Sequence, residues 1–226
     1  MRQANIYFDI ETIPTQSENI KNYIHNSLIA PANYKTAEAI SAWVEKNKEP
    51  AYRKTALNGG FGQIVCIGYA INDSDVKTIY YDKWAESEKE ILVTFFNDLK
   101  NCYTPSAEII PNFIGHNIEN FDLRFIYQRA IVLGVNPPSF LPLNNKSYNN
   151  MYIFDTMIEW VGKRGFVSLN EICMSLGLPT KGDAIDGSKV WDFVQAGKIN
   201  EVAEYCAADV EKVRAIYKRI MFQNIT

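Results

Sequence analysis

No apolar run in the 226 residues approaches the roughly 18 needed to span a bilayer, which argues against a transmembrane helix. The amino terminus, MRQANIYFDIE, also lacks the longer apolar stretch and small-residue cleavage site of a secretory signal, so a cytoplasmic protein is expected. Histidine is scarce, with two in the chain, and the four cysteines, Cys66, Cys102, Cys173 and Cys206, are widely separated with no C-x-x-C pair. A zinc site or a disulfide framework is therefore not expected, and buried thiols in a reducing compartment are. Basic charge is not in excess either: 23 Lys and Arg stand against 26 Asp and Glu, and a net charge of -3 gives no sign of a general nucleic-acid-binding surface. There is no internal repeat and no low-complexity segment. What is present, 47% hydrophobic and 22% charged residues, is the composition of a folded globular chain long enough for one large domain or two small ones.

Period-two alternation predicts a first strand over Asn5 to Ile10, with Ile6, Phe8 and Ile10 on one face and Tyr7, Asp9 and Glu11 on the other. Residues 14–62 fit no sheet pattern. They read as a helical insertion, with an amphipathic stretch (Ala37, Ile40, Trp43, Val44) bounded by Pro31 and Pro50 and a flexible joint at Asn58-Gly59-Gly60. Two β-rich runs, Ile64 to Ile71 and Val76 to Tyr81, flank the turn Asn72-Asp73-Ser74-Asp75. Ser87 with Glu90 suggests a capping box for a helix carrying Ile91, Leu92, Phe95, Phe96 and Leu99. A strand from Ile109 to Ile114 holds Pro111 and so reads as an edge or a bulge. A helix follows Asp122 and stops at Gly134; Pro137 to Asn150 reads as a loop. After a short strand at Tyr152 to Phe154 come a helix capped by Ser168 and Glu171, and a last helix from about Glu201 to Met221.

Three local patterns carry chemistry. By chance about 0.7 D-x-E triplets and about 0.6 Y-x-x-x-D spacings are expected for this composition, and each occurs twice, so neither pattern is informative by itself. The segment Asn117-Ile118-Glu119-Asn120-Phe121-Asp122 is rarer. Context sharpens all three. Asp9 and Glu11 leave the same face of an apolar strand, Asp122 opens a helix directly after a strand, and Tyr205 and Asp209 share the apolar face of the last helix. A like-charge pair about 4 Å apart costs on the order of 4 kcal/mol at an effective dielectric near 20, so carboxylates gathered this way need a counter-charge. Arg124 and Lys212 are the only cations beside these motifs. An all-oxygen donor set suits Mg²⁺ or Mn²⁺, and a pair of such ions serves displacement at phosphorus.

Asp9-Ile10-Glu11-Thr12, Asn117 to Asp122 and Tyr205 to Asp209, in that order, resemble the three exonuclease motifs of the DEDD superfamily of 3′ to 5′ exonucleases, tyrosine subtype. Within it the chain is most similar to the exonuclease domain of family-B DNA polymerases, in the bacterial and phage stand-alone branch; Gly62-Gln63-Ile64-Val65 and the stretches Lys181-Gly182-Asp183 and Gly187-Ser188-Lys189-Val190 also look like that branch. The resemblance implies an α/β, ribonuclease H-like mixed sheet flanked by helices, one exonuclease domain over residues 1–226, with the helical insertion 14–62 after the first strand. It implies that two divalent ions, Mg²⁺ or Mn²⁺, are held by Asp9, Glu11, Asp122 and Asp209. Asp9 would bridge them, Glu11 and Asp209 would complete the site of the water-activating ion, and Asp122 would hold the second. Tyr205 would orient the attacking water, while Thr12, Asn117 and Phe121 would contact the terminal nucleotide. The implied activity is hydrolysis of single-stranded DNA from its 3′ end to 5′-mononucleotides in replication, proofreading or repair, with a DNA polymerase or replication protein as a possible partner. Two alternatives stay open: a 3′ to 5′ exoribonuclease of the same superfamily, and a non-catalytic protein-binding module with the same fold.

Other residues have plainer readings. His116 is given no catalytic part, Asp155 is expected to cap a helix, and Trp43, Trp160 and Trp191 are expected to pack in the core or between helices. Lys163, Arg164, Lys181 and Lys189 are candidates for backbone contact, against the ordinary solvated role of such residues.

Overall fold

A computed structural model describes residues 2–102, 109–142, 152–180 and 185–223. The first strand, β1 (Arg2–Ile13), runs further at both ends than its alternation predicts and is the middle strand of five. On one side it pairs antiparallel with β2 (Gln63–Ile71), which carries β3 (Lys77–Ile79) antiparallel at the edge. On the other side it pairs parallel with β4 (Ile109–Gly115), which in turn pairs parallel with β5 (Ile153–Asp155). The order is β3-β2-β1-β4-β5, an α/β mixed sheet as expected.

β4 is therefore not an edge strand, contrary to the expectation from Pro111. The proline is accommodated because among the described residues β5 pairs with β4 only from Phe113 to Gly115, so none of them pairs with the second side of β4 at Pro111.

The pleat divides the core. Ile6, Phe8 and Ile10 of β1, with Ile67, Tyr69 and Phe113, pack against the apolar faces of α3 (Glu88–Cys102) and α4 (Asp122–Leu133). The opposite face, with Tyr7, Ala70 and Ile114, is covered by the long carboxy-terminal helix through Val210, Val213 and Tyr217. That helix, α8 in chain order, spans Ile199–Ile220. It lies unusually close to the sheet: a Cβ at Gly68 would come within 2.9 Å of Cys206 Sγ and 3.2 Å of Val210. Gly68 is the cross-strand partner of Asp9, so the closest approach of helix and sheet falls beside that carboxylate.

Between β1 and β2 lie α1 (Glu18–Asn26), α2 (Ala37–Arg53) and a 3-10 turn at Lys54–Leu57, the helical insertion the sequence predicts. Two details differ. Pro50 does not bound α2 but sits inside its last turn. It removes one helical hydrogen bond, and the turn persists because Tyr52 and Thr55 just beyond it are buried. The Asn58-Gly59-Gly60 joint is not loose either. Gly59 is pressed against α4, where a Cβ would meet Phe125 Cα at 2.9 Å, and its carbonyl accepts from Arg129. These glycines serve close approach. Arg129 is also paired through two nitrogens with Glu88, at 2.7 and 2.6 Å, and Glu88 Oε1 accepts from Ile64 N at 2.8 Å. One buried ion pair thus ties α3, α4, β2 and the end of the insertion together.

The remaining helices are short: α5 (Thr156–Val161), α6 (Leu169–Ser175) and α7 (Val190–Gln195). The Ser168 and Glu171 capping box forms as predicted. At α3 the Ser87 hydroxyl instead donates to the Lys83 carbonyl, and Ile91 N bonds the Ser87 carbonyl. Trp191 is buried against Tyr52 and Trp84, but Trp160 is 41% exposed, contrary to expectation, because α5 is too short to bring both its faces under cover. Cys66, Cys173 and Cys206 are buried. The side chain of Cys102, part of the Pro137 to Asn150 loop, and Lys181-Gly182-Asp183 lie outside the described residues. Among the described residues no helix is long and apolar enough to cross a membrane.

Candidate active site

The polar face of β1 is interrupted where it meets α8. Tyr7 packs in the core, but the next two residues of that face are Asp9 and Glu11, and Glu11 is buried at 5% exposure. Immediately after Glu11 the register with β2 shifts: Glu11 opposes Cys66 while Thr12 opposes Ile64, leaving Val65 as the extra residue of a bulge. The bulge turns Thr12 toward the insertion, where its hydroxyl donates to the Ala56 carbonyl at 2.8 Å. Thr12 lines a cleft of about 300 Å³ together with Pro14, Ala56, Leu57 and Trp191.

Asp122 arrives from the neighbouring strand. β4 pairs with β1 only as far as Tyr7 and Ile114, and beyond that point the Ile10 N–H donates to Asp122 Oδ1 at 3.2 Å. The turn that delivers Asp122 is held from below. Asn117 adopts a left-handed conformation (φ +59°), which asparagine tolerates, and its N–H and that of Glu119 both donate to the Asp155 carboxylate. Asp155 also caps α5, as expected, by accepting from Met157 N and Ile158 N. It also holds the Asn117 turn, 38 residues away in the sequence. Phe121 is half-buried against Phe125, with ring centroids 5.6 Å apart. His116 is structural, its two ring nitrogens meeting Thr156 Oγ1 and the Val167 carbonyl, each at 3.0 Å.

From the other side α8 presents Tyr205 and Asp209 one turn apart. The Tyr205 hydroxyl donates to Asp209 and lies in the field of Glu11 and Asp9. Burial and these carboxylates push the phenol far above its ordinary value, so it remains a protonated donor. Asp209 is paired with Lys212 Nζ at 2.8 Å; Arg124, the other cation flanking the motifs, is exposed on α4.

The structure therefore brings Asp9, Glu11, Asp122, Tyr205 and Asp209 into one electrostatic cluster. Burial raises the Asp9 carboxyl well above the usual range, and Asp122 and Asp209 raise it further. Glu11 is raised in the same direction by burial first, then by Asp9, Asp209 and Asp122. Asp122 is pushed up to about 8, mainly by burial and partly by Asp155, against the opposing pull of the Ile10 N–H. Among the described residues Lys212 forms an ion pair with Asp209 of the cluster, the donors are hard oxygens, and the residues present fit divalent cations of the Mg²⁺ or Mn²⁺ kind. Cys206 was not foreseen here. Its Sγ is 3.6 Å from Asp9 Oδ2, and the ligand atoms of Asp9, Glu11 and Cys206 lie within 4.8 Å of one another. Burial holds its thiol protonated, however, and it donates toward Asp9, which makes it a neighbour of the carboxylates more than a soft ligand.

The fold resembles that of the family B DNA polymerase of the hyperthermophilic archaeon Pyrobaculum calidifontis, with a TM-score of 0.61 at 13% sequence identity. The match covers 96% of this chain and 24% of the polymerase, so the chain spans about a quarter of that protein's length. Comparison with curated proteins gives no significant match. Residues 57–225 match a family described as predicted 3′–5′ exonucleases related to the exonuclease domain of PolB; the span includes Asp122, Tyr205 and Asp209 and begins after Asp9 and Glu11. With three quarters of its length matched and the corresponding fold around one carboxylate cluster, the chain belongs to this family of PolB-related 3′–5′ exonucleases.

Proposed function

We propose that residues 1–226 act as one exonuclease domain, in the cytoplasm, degrading single-stranded DNA from the 3′ end to 5′-mononucleotides and serving replication, proofreading or repair. The observation that carries this reading is the meeting of Asp9, Glu11, Asp122 and Asp209 with the Tyr205 hydroxyl at one end of β1, in surroundings that raise Asp9, Glu11 and Asp122 well above their ordinary range. The four carboxylates would hold two Mg²⁺ or Mn²⁺ ions. Bound there, the ions supply charge neutralisation and a water acidic enough to act as nucleophile at neutral pH.

The chain's own residues do the rest. Asp9, central in the cluster, would serve both ions, with Glu11 and Asp209 helping to hold the water-activating ion and Asp122 helping to hold the other. Tyr205, a permanent donor beside Asp209, orients the attacking water and does not abstract its proton. Lys212 fixes Asp209 on α8. Phe121, Asn117 and the backbone at Thr12 position the terminal nucleotide, and the cleft beside Thr12 is of a volume that suits a small ligand. Kinship with a polymerase exonuclease domain favours DNA over RNA and makes a polymerase the first partner to test.

The test uses a 5′-labelled single-stranded DNA and the matching RNA, each with Mg²⁺ or Mn²⁺. A ladder of shortened DNA products, with RNA cut more slowly, is expected. Intact DNA under conditions where the protein binds metal would overturn the reading; RNA degraded faster than DNA would move the assignment to a ribonuclease.

A further inference from the structure

Beside the Asn117 turn stands a short segment that the carboxylate site does not use. Between α5 and α6 the chain runs Gly162-Lys163-Arg164-Gly165-Phe166-Val167. Gly162 has φ +79° and ψ 170°, a conformation essentially restricted to glycine, and Gly165 N closes the turn on the Gly162 carbonyl at 3.1 Å. A Cβ at Gly165 would meet Val161 at 2.6 Å, so the second glycine is required by close approach. The turn is pinned at both ends, by Gly162 N, which donates to the Ile158 carbonyl at 2.8 Å where α5 ends, and by the capping box of α6. It is therefore a fixed display, and what it displays is two adjacent exposed cations and an exposed ring. Lys163 and Arg164 are exposed, with no ion pair among the described residues, and Phe166 is 81% exposed.

Its position links it to the cluster. The Val167 carbonyl accepts from His116 Nε2, His116 directly precedes Asn117, and His116 lies within the field of Asp209. Lys163 in turn acts on Glu119, the third residue of the same turn. A naked aromatic next to paired cations, continuous with the carboxylate site, matches the chemistry of a polyanion with stackable bases. It does not match a small metabolite, since Lys163, Arg164 and Phe166 all stand exposed.

We propose that the Gly162–Val167 turn is the platform for the single strand upstream of the scissile bond: Lys163 and Arg164 take backbone phosphates and Phe166 stacks on a base. The proposal rests on the exonuclease reading for the location of the strand end.

Binding and hydrolysis are measured separately. A 5′-fluorescein-labelled dT12 titrated in EDTA reports affinity by anisotropy, without turnover. Phe166→Ala is expected to weaken binding roughly ten-fold, and Phe166→Trp to retain it. Lys163→Ala with Arg164→Ala is expected to weaken binding and to flatten the plot of log K against log salt by about 1.4, or about 0.7 for each lost phosphate contact. Thermal melts show that each variant is folded, and any that melts early is replaced by Lys163→Gln with Arg164→Gln. Wild-type affinity and salt slope in these variants would overturn the proposal and leave a protein as the turn's occupant. No binding by the wild type would also overturn it. Turn-dependent binding by a protein that degrades no labelled strand would refute the exonuclease reading and uphold the platform; normal degradation with turn-independent binding would do the reverse.

Discussion

Replacing Asp122 by Asn should stabilise the metal-free protein while destroying its activity. Asp122 is 3% exposed, and its carboxyl is pushed from 3.8 in the unfolded chain to about 8 in the fold, chiefly by burial. Because the folded value lies above the unfolded one, the stability of the fold is intact below about pH 4 and is lost as pH rises toward 8. Linkage over that interval makes the cost of Asp122 small near pH 5 and larger at every step toward pH 8, where it reaches several kcal/mol, on the order of 1.4 kcal/mol per pH unit. Asn keeps an oxygen to accept the Ile10 N–H, now made at 3.2 Å, and carries no charge. Its amide hydrogens also relieve the repulsion from Asp155.

The assay is urea unfolding in EDTA at pH 5, 6.5 and 8, repeated with saturating Mg²⁺. In EDTA the wild type should lose stability across this range and Asp122→Asn should lose less, so that the gap in favour of the variant widens with pH. With Mg²⁺ the wild type should gain more than the variant, since the cation binds the ionised carboxylates of the folded state and the variant has lost one of them. A variant that is less stable than the wild type in EDTA at pH 8, or a gap that does not change between pH 5 and pH 8, would refute the claim that these carboxylates are held in unfavourable burial.

Three further outcomes follow from the same geometry. Asp9→Ala and Asp209→Ala should each remove nearly all single-turnover cleavage of single-stranded DNA, and the double variant should be no worse, because ligands of one cluster act as a unit; additive losses would disprove that unit. Gly68→Ala places a carbon 2.9 Å from Cys206 Sγ and must push α8 outward, so it should lower stability by about 1–3 kcal/mol and activity with it, since Tyr205 and Asp209 ride on that helix. Arg129→Met leaves Glu88 buried and unpaired and should cost about 3–5 kcal/mol in urea unfolding, part of which Glu88→Gln in the same chain should recover.

The alternation of β1, the strand-to-helix passage before Asp122 and the spacing of Tyr205 and Asp209 were legible in the sequence because each is a local regularity of period 2 or 3.6. The structure places Asp9, Glu11, Asp122, Tyr205 and Asp209 together. What escaped depends on register or on contacts between distant segments. Pro50 follows a rule for isolated helices, and the burial of Tyr52 behind it overrides that rule. Pro111 reads as an edge signal, but pairing of β5 with β4 from Phe113 onward makes the strand interior. Gly59 carries the composition of a hinge and is held by α4. Cys206 stands next to Tyr205 in the sequence, yet its approach to Asp9 follows from the absence of a side chain at Gly68, on a different strand.

Net charge misleads for a related reason. The balance of 23 bases against 26 acids argues against nucleic acid only if every acid faces solvent. Asp9, Glu11, Asp122 and Asp209 are withdrawn into one cluster that two divalent ions would neutralise, and 22 acids then oppose 23 bases. A nearly neutral exterior gives little long-range attraction for DNA. On the exonuclease reading, affinity would come from a few fixed contacts near the cluster, and a strand could leave after each cut. An enzyme that trims ends needs that release, whereas a protein that coats single strands needs the opposite. A shallow dependence of cleavage on salt is therefore the expected signature, with a slope near that of two phosphate contacts; a slope several times steeper would point to an extended basic track and refute this reading.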